Sequence, residues 1–430
     1  MQDAESPTQP PDIPASQTAA TAAIPAHLPA VPRTAAKRPI LFTAFEPSGD
    51  DHAAPVIAEI IEREPGRPVY AWGGPKMEAA GAVVVERTGE NAVMGLPGLA
   101  KIREHKQINA RIRRWMAAHK PVLHVPVDSP AANFPIAAMA KANGTGVVHL
   151  VAPQVWAWGS WRVAKLRRLT DLVLCLLPFE EGWFTTRGVP ARFIGHPLFD
   201  HELDPKRVLE KAKTLPDFSG GEAKGPWRIG LFPGSRPSEL EKNFPLLLEA
   251  YRDLAACGSC TRDGRAPVAM VVAVNDAVEQ RLRQLADRHG GVPEGVSFIA
   301  GDTDSAVRWA EIALVVSGTV TLQIARQARP MVVFYKSNEF LYNLIGRWIV
   351  STRYFTLPNL IAGTRVVTEM VPHFGGAEPI AMAARTLMTE PGALAEQIRA
   401  LEDVAGRFDG LEASMAATDA ILEQAARREA

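Results

Sequence analysis

Arg228-Ile-Gly-Leu-Phe-Pro-Gly-Ser-Arg236 is the stretch of this chain that decides its fold. Its apolar run is typical of a buried parallel strand, and a helical pattern begins at Pro237. The Gly-Ser turn between them leaves backbone N–H groups at a helix N-terminus, where the partial positive charge suits a phosphate. Arg236 adds a planar guanidinium that matches phosphate oxygens. The stretch therefore predicts an α/β domain with a phosphate-binding turn at Gly234, Ser235 and Arg236.

The same pattern recurs further along the chain. Val315-Val-Ser-Gly-Thr319 again places small and hydroxyl-bearing residues directly after an apolar run. Ser317, Gly318 and Thr319 are therefore predicted to form a second turn that contacts the same ligand. Two such turns in one α/β domain indicate a clamp for a diphosphate, and so a nucleotide-linked substrate.

Apolar runs alternate with helical patterns over most of the chain from Arg38 onwards, which is typical of parallel sheets covered by helices. We predict an α/β protein with two Rossmann-like doubly wound domains facing a cleft, where the carboxyl ends of the strands would bind the ligand. Strands are predicted at 40–45, 69–72, 122–127, 147–151, 172–177 and 191–195, and then near 228–232, 268–274, 296–300, 312–316 and 331–335. The predicted segments are a disordered Pro- and Ala-rich tail (1–38), an N-terminal acceptor- and membrane-facing domain (39–215), a linker (216–227), a C-terminal nucleotide-sugar-binding domain (228–377) and C-terminal helices that pack back across the domains (378–430).

The composition narrows the class of protein. Lys and Arg total 47 among the 430 residues, as do Asp and Glu, so no overall charge favours nucleic acid as a partner. Three cysteines are too few for a disulfide framework, which fits a reducing compartment. Cys257 and Cys260 have no second pair and no nearby His to complete a zinc site, so no metal is predicted. No apolar run reaches the roughly 18 residues of a membrane-spanning helix.

Acidic side chains follow two of the predicted strands in the first domain. Glu46, in Glu46-Pro-Ser-Gly-Asp50, would repel a pyrophosphate and is predicted to accept hydrogen bonds in the cleft. Asp128, in Asp128-Ser-Pro130, is placed at a strand end where it can act as a general base. Both turns have a structural alternative, which is helix capping by Asp50 and by Asp128.

Two segments combine aromatic and basic residues. The first contains Trp156, Trp158 and Trp161, followed by Arg162, Lys165, Arg167 and Arg168. The second is a predicted helix over 99–118, with Ile112, Trp115 and Met116 on an apolar stripe beside Arg111, Arg113 and Arg114. We predict that Ile112, Trp115, Met116, Trp156 and Trp158 face a membrane or acyl chains. The alternatives are core packing or a cleft wall for the tryptophans, and an ordinary amphipathic surface helix for the stripe.

Taken in order, the motifs resemble those of the lipid-A-disaccharide synthase family, inverting glycosyltransferases with the two-domain B-type fold. The resemblance runs from about Ile40 into the C-terminal helices. The matching stretches are Glu46-Pro-Ser-Gly-Asp50, Gly73-Gly-Pro-Lys-Met77, Val93-Met-Gly95, Asp128-Ser-Pro130, Val155-Trp-Ala-Trp158, Leu177-Pro-Phe-Glu180, Phe193-Ile-Gly-His-Pro197, Pro233-Gly-Ser-Arg236, Ser317-Gly-Thr319, Pro330-Met-Val-Val333 and Leu357-Pro-Asn-Leu-Ile-Ala-Gly363.

The resemblance implies transfer of 2,3-diacylglucosamine from its uridine diphosphate (UDP) conjugate to 2,3-diacylglucosamine 1-phosphate. The products would be the β-1′,6-linked lipid A disaccharide and UDP, with no cofactor. Asp128 would take the proton of the acceptor 6-hydroxyl, Glu46 would orient the sugar or acceptor, and Arg236 would stabilise the departing diphosphate. Asn359 would hold the donor, and its alternative role is to form a turn. Met94 would be one of the residues that bind the nucleotide or the substrate. The implied setting is the cytoplasmic face of the inner membrane, with an anionic membrane surface as a peripheral partner and a homodimer expected from the family alone.

The chain departs from the family pattern in two motifs. The family's second turn continues Ser-Gly-Thr-x-x-Leu-Glu, whereas Gln323 here lacks the charge that strengthens hydrogen bonds to a ribose diol. The Asp-Phe-Asn that follows the family's Asp-x-Pro is Ala131-Ala132-Asn133 here. Two alternatives stay open. One is another UDP-sugar-dependent B-type transferase or epimerase, which the basic–aromatic helix at 101–120 argues against, and the other is a non-catalytic nucleotide- or lipid-binding relative, which Gln323 keeps open.

Overall fold

The computed structural model describes residues 37–88, 99–201, 203–218, 225–337 and 352–430. Within these ranges the chain forms two parallel sheets covered by helices, which confirms the predicted fold class. Three predictions fall partly or wholly outside the described residues: the tail up to residue 36, the linker at 219–224, and Met94.

The first sheet has the strand order β3-β2-β1-β4-β5-β6-β7. Its strands are β1 (Ile40–Thr43), β2 (Val69–Gly73), β3 (Val83–Arg87), β4 (Leu123–Pro126), β5 (Gly146–Leu150), β6 (Leu172–Cys175) and β7 (Ala191–Phe193). Strand β3 is absent from the strands predicted from the sequence. This strand lies at the sheet edge and pairs only with β2, so it lacks the continuous burial that makes a strand visible in a sequence.

The second sheet has the order β10-β9-β8-β11-β12-β13. Its strands are β8 (Arg228–Phe232), β9 (Val268–Ala273), β10 (Val296–Ala300), β11 (Ile312–Val316), β12 (Met331–Lys336) and β13 (Thr368–His373). Strand β13 is likewise absent from the predicted strands. It is again an edge strand, and its Pro372 is tolerated there because an edge strand need not pair on both sides.

The helices cover both faces of the two sheets. Those of the first sheet are α1 (Pro47–Arg63), α2 (Pro75–Ala79), α3 (Leu99–His119), α4 (Pro130–Ala142), α5 (Val163–Leu169) and α6 (Pro178–Thr185). Helix α7 (Pro205–Lys213) packs against the helix at Thr303–Trp309 of the second half. Those that follow are α8 (Pro237–Ala256), α9 (Asp276–Arg288), α10 (Thr303–Trp309), α11 (Val320–Arg326), α12 (Leu357–Ala362), α13 (Glu378–Thr389), α14 (Ala393–Gly406) and α15 (Ala413–Glu429).

Each sheet has one point at which the strand order reverses, and ligands bind at such points in doubly wound folds. In the first sheet it lies between β1 and β4, which pair in parallel with Thr43 opposite Pro126. In the second it lies between β8 and β11, which pair with Phe232 opposite Val315. The turns that follow these four strands are therefore neighbours at the carboxyl edge of each sheet.

The C-terminal helices connect the two halves. Helix α14 packs against α11 and α12 of the second half, whereas α15 packs against α1 and β5 of the first. Between them Phe408 stacks on Phe199 with ring centroids 4.4 Å apart, and Asp200 accepts hydrogen bonds from the backbone of Ala413 and Ser414 at the start of α15. The C-terminal helices therefore hold the carboxyl edges of both sheets beside the same cleft.

The apolar stripe of α3 is a core element, so the prediction that it faces a membrane is wrong. Ile112, Trp115 and Met116 are fully buried. The Trp115 ring lies 4.9 Å from Tyr70 and 5.8 Å from Trp72, both on β2. The alternative, an amphipathic helix whose stripe packs on the sheet, describes α3 correctly because a helix covering a sheet needs such a stripe.

Candidate active site between the two sheets

A cavity of about 640 Å³ lies between the two halves. The second half supplies most of its wall, and the first half supplies Gln154, Trp156 and Ala157 from the segment that follows β5. Most residues predicted to bind the nucleotide meet there. Those lining the cavity are Gly234, Ser235, Arg236, Ser317, Gly318, Thr319 and Gln323.

The turn after β8 has the backbone that its sequence predicts. Gly234 has a φ of 93°, and a Cβ at that position would lie 3.2 Å from Oε2 of Glu239. Arg236 stands at the N-cap position of α8, and its Nη1 donates to Oε1 of Glu239 at 3.0 Å. The Arg236 side chain is 59% exposed, so its guanidinium is oriented by Glu239 and accessible to a ligand in the cavity.

Gln323 lines the cavity beside a carboxylate. Its Nε2 donates to Oδ1 of Asp304 at 2.9 Å, and Gln327 donates to the Asp304 backbone carbonyl at 3.0 Å. The negative charge that Gln323 lacks is therefore present one hydrogen bond away, on α10. Sequence reasoning missed Asp304 because only the packing of α10 against α11 brings the two residues together.

Glu46 and Asp128 meet at the reversal point of the first sheet, although neither lines the cavity. Glu46 follows β1 and is exposed, and its Oε1 accepts a hydrogen bond from Oγ of Ser129 at 2.7 Å. Burial is the main cause that raises the pKa of Asp128, and the nearby Glu46 charge raises it further, against a hydrogen bond from the Ser129 backbone. The N-cap position of α4 belongs to Ser129, so Asp128 is not its N-cap residue.

A buried chain of hydrogen bonds holds the Asp128 backbone. Nδ2 of Asn133 donates to the carbonyls of Val127 at 3.0 Å and Asp128 at 2.9 Å. Thr43 donates to Oδ1 of Asn133 at 2.7 Å, and the His124 ring lies 2.8 Å from the Thr43 hydroxyl. Because that hydroxyl is already used as a donor, Nε2 of His124 must donate to it.

This support matters because the backbone turns sharply at Asp128 and Ser129. Their φ angles are 45° and 36°, and two consecutive non-glycine residues in the left-handed region cost about 1–3 kcal/mol each. Strain of this kind persists only where the surroundings fix it, and it clusters at functional sites. Burial lowers the pKa of both His124 and His149 to about 3, so both rings are neutral, and His149 also hydrogen-bonds the Asp128 backbone.

Sequence reasoning did not identify Thr43, His124 or His149 as part of the site. The available signal was a histidine inside each of two otherwise apolar strands. A buried ring nitrogen needs a partner, so such an interruption indicates an internal hydrogen bond.

Asp50 and Asn359 have structural roles that correct two expectations. Asp50 caps α2 instead of its own helix, because its carboxylate accepts from the backbone of Gly74, Lys76 and Met77 at 2.9–3.1 Å. Asn359 was predicted to hold the donor, but it is fully buried. Its amide bonds the backbone of Val366 and Val367, so the turn-forming alternative is correct.

The tryptophans of the 155–161 segment divide between inside and outside. Trp156 is 7% exposed and lines the cavity, so it is a cleft wall and not a membrane-facing residue. Trp158 and Trp161 are 43% and 68% exposed, and both lie within 6.0 Å of the Arg162 guanidinium.

Within the described ranges, no helix is both long enough and apolar enough to cross a membrane. The same part of the chain holds no cluster of three His, Cys, Asp or Glu side chains suited to a metal ion.

The fold is that of the B-type glycosyltransferases and their relatives. A UDP-N-acetylglucosamine 2-epimerase from Neisseria meningitidis, solved with UDP-N-acetylglucosamine, superposes with a TM-score of 0.56 at 12% identity over 91% of this chain and 100% of that one. MurG from Acinetobacter baumannii superposes with a TM-score of 0.54 at 13% identity, covering 90% and 99% of the two chains.

Sequence similarity identifies the family within this class. Residues 40–406 match the family described as lipid-A-disaccharide synthetase. The chain is 33% identical to the lipid-A-disaccharide synthase of Syntrophus aciditrophicus over 85% of this chain and 93% of that protein. It is 32% identical to that of Azotobacter vinelandii over 90% and 98%. The chain belongs to the lipid-A-disaccharide synthase family, and is a glycosyltransferase that forms the lipid A disaccharide.

Proposed function

We propose that the chain joins 2,3-diacylglucosamine, from its UDP conjugate, to the 6-hydroxyl of 2,3-diacylglucosamine 1-phosphate with inversion at the anomeric carbon. The observation that carries this proposal is the meeting of two phosphate-type turns, after β8 and β11, in a cavity to which the first half adds a wall at Gln154, Trp156 and Ala157. A UDP-sugar bound at these turns would present its sugar towards that wall.

Asp128 is the proposed general base. The acceptor oxygen forms a bond to the anomeric carbon while the bond from that carbon to the β-phosphate oxygen breaks. The hydroxyl proton passes to Asp128, and UDP leaves with the electron pair. The raised pKa of Asp128 suits this role, because a base works best when its pKa approaches the working pH. Because Asp128 does not line the cavity, it would act on an acceptor bound beside the reversal point of the first sheet.

Arg236 and the N-terminus of α8 are proposed to stabilise the departing diphosphate. Charge develops on the β-phosphate as the bond breaks, and preorganised donors aimed at that charge lower the barrier most. Glu46 is proposed to orient the acceptor through its exposed carboxylate, which Ser129 fixes by a hydrogen bond.

The direct test is an assay of disaccharide formation from UDP-2,3-diacylglucosamine and 2,3-diacylglucosamine 1-phosphate, with UDP release measured in parallel. We expect stoichiometric disaccharide and UDP. A protein that binds UDP-sugar and forms no disaccharide would contradict the proposal, and an epimerised UDP-sugar product would support the epimerase alternative.

Gln323 and Asp304 are proposed to act together on the donor ribose. The ribose of a UDP-sugar is bonded directly to the diphosphate, and Gln323 lies on α11, immediately after the second turn. An amide held by a carboxylate can donate and accept at a diol, and the charge of Asp304 strengthens the bonds of the pair.

A charge exchange tests this pair. Gln323→Glu places two carboxylates next to each other, and like charges at that distance disfavour joint ionisation, so we expect UDP affinity to fall about tenfold. Adding Asp304→Asn restores one carboxylate and one amide in exchanged positions, and affinity should return to within about threefold of wild type. Titration calorimetry with UDP measures both, and a double variant no better than Gln323→Glu would contradict the pairing.

We also propose that an exposed tryptophan–basic patch contacts anionic lipid. The patch consists of Trp158, Trp161, Lys165, Arg167 and Arg168, all exposed. Helix α4 packs against both α3 and α5, so the exposed Arg113 and Arg114 of α3 lie on the same side of the sheet. Interfacial aromatic rings and cations are the combination that binds headgroups at the surface of a membrane.

Trp161→Ala should weaken binding to vesicles of phosphatidylglycerol and phosphatidylethanolamine about tenfold, because it removes a large apolar side chain from the interface. Binding should also fall with added salt. Met382→Ala is the control, since Met382 is a similarly exposed apolar side chain, at 59%, on α13 of the other half. Equal losses in the two variants, measured by vesicle sedimentation, would argue against the patch.

A further inference from the structure

Glu180 is a buried carboxylate that the proposed reaction does not use. Its exposed fraction is 2%, and three N–H groups surround it. Oε1 accepts from Nε1 of Trp156 at 2.9 Å, and Oε2 accepts from the backbone of Leu176 at 3.1 Å and Leu177 at 3.0 Å. Each of these donors is neutral, so burial raises the pKa of Glu180, to about 7.

The two carboxylate oxygens of Glu180 have different hydrogen-bond donors. Oε2 completes the cap at the start of α6, which a polar side chain at that position does in many helices. Within the described residues, the Trp156 indole is the one donor that hydrogen-bonds Oε1. A helix cap does not need this second oxygen, and burying a carboxylate without a cation costs free energy. The hydrogen bond that Oε1 accepts therefore indicates that Glu180 also holds the Trp156 side chain in place.

Trp156 lies in a loop segment, outside the helices and strands. Residues 153–157 form a turn after β5, with the Ala157 N–H donating to Gln154 at 3.1 Å. The indole packs edge-on against Phe179 of α6, with centroids 4.9 Å apart, and its surface lines the cavity. The links to Glu180 and Phe179 connect this turn to α6 through a side chain that forms the cavity wall.

We propose that Glu180 is a positioning residue that locks the Trp156 indole as the wall against which the acylated sugar packs, and so sets the KM of the acylated substrate. This inference rests on the proposed function for the identity of the substrate. Trp156 belongs to the first half and the phosphate turns belong to the second, so we expect UDP binding not to depend on it.

Glu180→Gln is a selective test because glutamine has only one acceptor oxygen. The two backbone N–H groups require that oxygen, which turns the amide NH₂ towards the indole N–H and places donor against donor. We expect the KM for UDP-2,3-diacylglucosamine to rise about tenfold, because the buried indole N–H loses its acceptor, with the Kd for UDP unchanged within about twofold. Trp156→Phe keeps the ring and removes the N–H, and should raise the same KM.

The double variant gives a readout that a purely structural role would not move. With phenylalanine at 156, the amide introduced at position 180 no longer faces a donor, so Glu180→Gln/Trp156→Phe should have the KM of Trp156→Phe and not the product of the two increases. Glu181→Gln is the matched control, because Glu181 is the next residue on α6 and bonds the Phe193 backbone at 3.0 Å. It should leave the KM within about twofold of wild type.

The outcomes separate this inference from the proposed function. A wild-type chain that makes no disaccharide overturns the proposed function. Active wild type with an unchanged KM in Trp156→Phe overturns the positioning role even if Glu180→Gln fails to fold. Multiplicative effects in the double variant, or equal losses in the KM for UDP-2,3-diacylglucosamine and in UDP affinity, would reduce Glu180 to a helix cap.

Discussion

Asp128→Asn should reduce disaccharide formation by about 10²–10⁴-fold while leaving UDP affinity unchanged. The substitution preserves the size and shape of the side chain, but it replaces a carboxylate, which can take the proton of the acceptor hydroxyl, with an amide, which cannot. Asn133 holds the Asp128 backbone, and the amide oxygen introduced at position 128 can still accept from the Ser129 N–H, so the turn should survive. Single-turnover assays with saturating donor and acceptor measure the chemical step directly.

Asp51→Asn is the control for this loss, because Asp51 is exposed on α1 and pairs with Lys76 away from the cavity. It should keep activity within about twofold. If Asp128→Asn retains full activity, another group is the base.

The pH profile gives a second check with a defined sign. A base must be deprotonated to act, so kcat/KM should fall as the pH falls through the pKa of Asp128. Because burial and the charge of Glu46 raise that pKa, the fall should occur at a higher pH than an ordinary Asp would give. Glu46→Gln removes the negative neighbour, so it should move the acidic limb to lower pH. A limb that moves to higher pH would contradict the assignment.

The sequence was sufficient for most of the fold because its strands are buried on both faces. The strands Arg228–Phe232 and Ile312–Val316 are buried along their whole length and are almost entirely apolar, and the helices between them carry clear periodicity. The two strands that escaped prediction, β3 and β13, are edges with incomplete burial. Strand order could not be read from the sequence either, and only that order brings Glu46 beside Asp128.

The candidate site divides in the same way. Turns that follow buried strands, such as 234–236 and 317–319, were predictable because local sequence sets their backbone. Side chains whose role depends on a distant partner were not, as with Asp304 beside Gln323 and Glu180 beneath Trp156. Asn359 failed for the opposite reason, since a turn-forming Asn and a ligand-binding Asn have the same sequence pattern.

Arg236→Ala should lower kcat by about 10²–10³-fold, the effect of removing one preorganised donor from a developing charge. The KM for the donor should rise much less, because the interaction is proposed to strengthen as UDP departs. Arg236→Lys keeps the charge but loses the planar fork, so its kcat should lie between the two. Arg283→Ala is the control, since Arg283 is similarly exposed on α9 and pairs with Glu279 without lining the cavity.

The loss of kcat in Arg236→Ala has two parts, which a second substitution at Glu239 can separate. In the intact protein Arg236 neutralises the Glu239 carboxylate, which also lines the cavity. Arg236→Ala therefore removes a cation from the diphosphate and exposes the diphosphate to an uncompensated anion. Adding Glu239→Gln removes that anion, so the double variant should recover part of kcat, by about tenfold if the repulsion accounts for about 1.4 kcal/mol. No recovery would mean that Glu239 turns away from the bound diphosphate, and that the whole loss measures the direct contact of Arg236 with the leaving group.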